Sequence, residues 1–99
     1  MNKMVAVVTA KVGKAREAIA AVKALGDYVR TKHGAKGEAY VQTFGGTAGT
    51  IYIIADYGDA ASYQALQAKV MADEGYWALV QKVSEVIVSP PTIAFLQPV

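Results

Sequence analysis

The chain has 99 residues, the length of one domain spanning 1–99, and is 54% apolar but only 18% charged. With no cysteine, disulfides and thiolate chemistry are excluded, and a net charge of +2 with no basic block argues against nucleic-acid binding. So little polar surface predicts that a lone monomer would expose apolar patches, and therefore self-association.

Residues 4–10 form a near-continuous apolar run without helix caps, as a central strand does. The run is too short for a signal peptide and is followed at once by Lys11, Lys14, Arg16 and Glu17. No apolar run is long enough to span a bilayer, so no membrane partner is predicted and a cytoplasmic location is expected. From Lys14, apolar positions fall at Ala15, Ile19, Val22, Leu25 and Val29. That spacing predicts an amphipathic helix with one buried face. Lys32 and His33 in its last turn and Gly34 beyond it supply the end.

Residues 37–45 read as a second strand, with Tyr40, Gln42 and Phe44 on one face and Ala39, Val41 and Thr43 on the other. The glycine-rich turn 45–49 leads into a third strand over 50–57, so these two strands should form a hairpin. Asp59 is the expected N-cap of a second helix, with Tyr63, Leu66 and Val70 as its inner stripe. Asp73-Glu74-Gly75 breaks that helix, and Asp73 can cap its continuation to about Val88. Tyr76, Val80, Val83 and Ile87 form the stripe there, and Tyr76 and Trp77 read as a buried aromatic pair. Pro90 and Pro91 force extended chain, and 92–96 is a short last strand.

The order is β-α-β-β-α-β. Right-handed crossovers interleave such units into a four-stranded antiparallel sheet with both helices on one face, a ferredoxin-like α+β fold. Ala39, Val41, Thr43, Ile51, Ile53 and Ala55 suit the helix side. Tyr40, Gln42, Phe44, Tyr52, Ile54 and Asp56 then face outward, and a second subunit should cover them.

In this topology, and in Ile53-Ile54-Ala55-Asp56-Tyr57, Tyr63, Leu66 and Ala72-Asp73-Glu74-Gly75-Tyr76-Trp77, the chain resembles the dimeric α+β barrel superfamily, notably its NIPSNAP-like, stress-responsive and monooxygenase-like groups. Gly75 and the absence of a proline depart from the acidic-aromatic segment of those groups. The resemblance implies a homodimer of ferredoxin-like subunits packed sheet to sheet, with a ligand in the cleft between helices and sheet. The haem-degrading members' strand-one asparagine and second-helix histidine have no counterpart here, so that activity is not implied.

No catalytic signature stands out. His33, the only histidine, could act as a base, though a helix-terminal surface cation is the more ordinary role. Asp56, on an otherwise apolar strand, could act as a base if buried; pairing with backbone or with a lysine across the dimer is the ordinary alternative. One histidine cannot build the usual zinc site, and neither a metal nor a cofactor is expected. Small residues on both helices and the break at residues 73–75 place a candidate apolar ligand site near Tyr28, His33, Tyr63, Tyr76 and Trp77. The expected function is a homodimeric small-molecule-binding protein, an enzyme of the cofactor-independent monooxygenase type in one form. The alternative is a non-catalytic interaction domain whose dimerisation is its role.

Overall fold

The computed structural model describes residues 2–99. The strands are β1 (Asn2–Thr9), β2 (Lys36–Val41), β3 (Thr50–Tyr57) and β4 (Thr92–Leu96). The helices are α1 (Ala15–His33), α2 (Ala60–Met71) and α3 (Glu74–Ser84). The strands form one antiparallel sheet in the order β2-β3-β1-β4, which is the ferredoxin-like arrangement.

The register sorts side chains between the faces. Val8 stands opposite Ile51, Ala6 opposite Ile53 and Met4 opposite Phe95. These residues face the helices, and Val8, Ala10, Ala18, Val22, Ile51, Val83 and Ile87 make the core. Alanines at positions 10 and 18 let α1 settle close to the strands, where larger side chains would hold it off. The opposite face carries Val5, Val7, Tyr52 and Ile54, with Lys3 paired to Asp56 at one end. This division of β3 is the expected one.

Local chemistry sets the helix ends. Gly34 takes the left-handed conformation (φ 73°) and its N–H donates to the Arg30 carbonyl, closing α1. Asp59 caps α2 by accepting from the Ser62 N–H at 2.7 Å. Asp73 caps α3 by accepting from the Gly75 N–H at 2.9 Å.

Four expectations are corrected. β2 ends at Val41 rather than at residue 45. There the Gln42 side chain turns back to donate to the Gly45 carbonyl, and Gly45, Gly46 and Gly49 curl the chain at positive φ. Thr43 and Phe44 therefore lie in the connection, outside the sheet. The inner face of α1 runs through Ala18, Ala21, Val22 and Leu25, and Ile19 is turned toward solvent. α3 stops at Ser84. Beyond it Val86 accepts from the Lys11 N–H and Val88 donates to the Thr9 carbonyl, so the chain lies extended against the end of β1. Ile87 still reaches the core, through a bridge opposite Ala10 rather than along a helix. Finally, Trp77 is not buried: it is 47% exposed, packs edge-on against Tyr76, and donates its indole N–H to the Met71 carbonyl at 2.8 Å. Among the described residues no helix is long and apolar enough to cross a membrane.

Candidate functional site

The break between α2 and α3 brings polar side chains together. Asp73 turns its carboxylate inward as it caps α3, and the side chain is only 6% exposed. A buried carboxylate needs donors for its lone pairs. The C-terminal end of α1 supplies them. The Tyr28 hydroxyl lies 2.9 Å from both carboxylate oxygens, and His33 Nε2 donates to Oδ2 at 2.8 Å. Lys32 Nζ approaches Oδ2 to 3.2 Å and donates to the Tyr28 hydroxyl at 3.0 Å. Its ammonium lies beyond that hydroxyl, 5.4 Å from the Tyr28 ring centroid.

The hydrogen bond from His33 holds the Asp73 carboxyl far below the usual carboxylate range, with Tyr28, Lys32 and the Gly75 N–H adding to it and burial opposing. The same cluster, through Tyr28 first and Asp73 next, raises the Lys32 ammonium. Gly75 makes room for the arrangement. A Cβ there would run into the Tyr28 hydroxyl and stand 3.0 Å from Cζ and 3.2 Å from Asp73 Oδ1. An open depression of about 610 Å³ lies over the cluster, lined by Tyr28, Lys32, His33, Lys69, Asp73 and Glu74 among others.

The other residues singled out in the sequence lie apart from this depression. Tyr63 joins α2 to the sheet in a trio of edge-to-face rings, 5.7 Å from Tyr57 and 5.0 Å from Phe95. Tyr76 lies near it, its hydroxyl pushed up by burial and then by Tyr63. Burial raises Tyr63 as well. The helix layer does not reach the β4 edge: on the helix-facing side Ile93 is 54% and Phe95 52% exposed. An exposed apolar edge results beside the ring trio. Asp56 is on the far face, paired with Lys3 within the same chain. Gln42 accepts from the Tyr52 hydroxyl at 2.8 Å. So Tyr28 and His33 share one site, Tyr63 and Tyr76 lie toward the exposed β4 edge, and Trp77 rides the outer surface of the break. Asp73, Lys32 and Phe95 were not singled out as site residues. The cap role of Asp73 was readable, but its 40-residue reach to His33 has no local signal. Among the described residues no group of three or more His, Asp or Glu gathers as a metal site would require.

No family model matches the chain, and no curated protein matches it. Solved structures do match in fold. An uncharacterized NIPSNAP domain protein from Burkholderia xenovorans superposes with a TM-score of 0.85 at 19% identity, covering 100% of this chain and 95% of that one. A NIPSNAP family protein from Agrobacterium tumefaciens gives 0.84 at 16% identity over 99% and 92%. A structure described as an antibiotic biosynthesis monooxygenase gives 0.74 at 17% identity over 100% and 99%. These are the kinds of protein that the sequence resemblance named.

Two outcomes test the cluster. Gly75→Ala would gain about 1 kcal/mol of helix propensity on an exposed site. Here it is expected to lower stability in urea, because the Tyr28 hydroxyl must leave Asp73. In a Tyr28→Phe background the same change should cost less, and equal costs in both backgrounds would refute the packing described. Asp73 has its folded value depressed, so its contribution is present above about pH 4, where an unfolded aspartate ionises, and is lost as the pH falls. Wild type should therefore exceed Asp73→Asn in urea midpoint at pH 7, with the gap narrowing toward pH 3.

Proposed function

We propose that the protein acts as a homodimer, packed sheet face to sheet face, that binds an apolar small molecule between its helices and its sheet. The observation that carries the reading is the one-sided sheet. Val5, Val7, Tyr52 and Ile54 face away from every helix, a surface suited to its own copy. Pairing through that face leaves the helix side free. There the exposed edge at Ile93 and Phe95, beside Tyr57 and Tyr63, offers apolar and aromatic surface with few polar groups. The same surface would hold the substrate of a cofactor-independent oxygenase, the enzymatic form of this reading. The neighbour described as an antibiotic biosynthesis monooxygenase supports that form. One observation favours the alternative, a non-catalytic interaction domain: the three rings pack against one another and occupy part of the space a ligand would use.

Light scattering on a sizing column at micromolar concentration should give twice the chain mass. Ile54→Lys should weaken the dimer at least tenfold, about 1.4 kcal/mol, because it would bury a charge without a partner. A soluble monomer at that concentration would refute the dimer. Titration with decanoate should shift the ring-proton NMR signals of Tyr57 and Tyr63. Phe95→Ala should weaken that response while leaving the dimer intact. No response below millimolar decanoate would favour the interaction domain.

A further inference from the structure

The depression over Asp73 is lined by neither Ile93 nor Phe95, and it has a chemistry of its own. An ionised carboxylate only accepts hydrogen bonds, so the His33 ring presents its N–H to Asp73 at Nε2. In the neutral ring that leaves a lone pair on Nδ1. Among the described residues no protein group bonds Nδ1, and no buried side-chain polar atom lacks a partner, so Nδ1 reaches solvent. His33 is otherwise enclosed, with its side chain 11% exposed. An imidazole held in one tautomer by a buried carboxylate, on a residue that lines a depression, is the arrangement that general-base chemistry uses.

We propose that this depression is an acid–base site for a small 2-oxo monocarboxylic acid, in which His33 Nδ1 takes and returns the proton on the carbon beside the carbonyl. The step is balanced within the acid and the ring. The C–H bond breaks, its proton bonds to Nδ1, and its electron pair moves toward the carbonyl oxygen to give an enolate. Return of a proton from Nδ1 to carbon restores the ketone, and no oxidant or reductant is needed. Lys32 can steady the enolate: of its three N–H bonds, Tyr28 and Asp73 engage two, and one is left for the ligand. Lys69 on α2 places a second ammonium at the rim for the carboxylate. Glu74 on α3 shares that rim and repels polyanions, which selects a monocarboxylate over a phosphate. Asp73 is a positioning residue. It fixes the tautomer and stabilises the imidazolium once His33 has taken the proton.

The test uses the full chain in D2O with 2-oxobutyrate as the probe, following loss of its C3 proton signal by NMR. Exchange at least tenfold faster than with an equal concentration of free imidazole is expected. His33→Gln should fall to the level of buffer. Asp73→Asn should both slow exchange and shift its pH profile, which a purely architectural role would not do. Lys69→Gln should raise the concentration needed for saturation more than it lowers the limiting rate. Because His33 is the only histidine, carbethoxylation read at 240 nm reports on it alone. Modification at Nδ1 should abolish exchange without relying on a variant that folds. Wild-type exchange no faster than imidazole would overturn the proposal, as would exchange that survives complete modification.

Discussion

A sheet has two faces, and this chain folds helices over one of them. The placement of every element follows from that constraint. Ala6, Val8, Ile51 and Ile53 turn toward the helices, and α1 presents Ala18 and Val22 to them. β3 is nearly as apolar on its other side, with Tyr52 and Ile54, and there no helix meets it. The half-exposed Lys3–Asp56 pair marks where the apolar part of that face stops. An ion pair so exposed adds little to stability, and its consequence is a wet, charged end to an otherwise apolar surface.

The second organising feature is the burial of a single carboxylate. Asp73 serves α3 as its cap and serves α1 as the acceptor for Tyr28 and His33. One side chain thereby joins the end of the first helix to the start of the third. Its lone pairs need donors once water is gone, and α1 brings them because its inner face, continued from Val22 and Leu25, passes through Tyr28. Gly75 completes the arrangement by leaving the hydroxyl room.

What the sequence made legible was the local chemistry. The limits of β3 and β4, the left-handed cap at Gly34, and the caps at Asp59 and Asp73 all rest on residues next to the feature they produce. The break in the second helix was legible for the same reason. Features that depend on distant partners were not. Ile19 fits an apolar stripe as well as Ala18 does, and only the close approach of the sheet selects the alanine. The end of α3 is set by backbone bonds to Lys11 and Thr9, more than seventy residues earlier in the chain. Periodicity alone could not sort Tyr28 and His33 toward Asp73, Tyr63 toward Phe95, and Trp77 toward solvent.

The break itself is fastened on two sides. Inside, Asp73 holds the end of α1; outside, the Trp77 indole spans from α3 back to the Met71 carbonyl at the end of α2. A bend tied in this way behaves as a bracket rather than a hinge. α2 cannot swing away from the sheet by itself without rupturing the Trp77 bond, and if α3 follows, the pull passes to Asp73 and its grip on His33. The junction of α2 and α3 and the orientation of the imidazole thus rest on the same carboxylate.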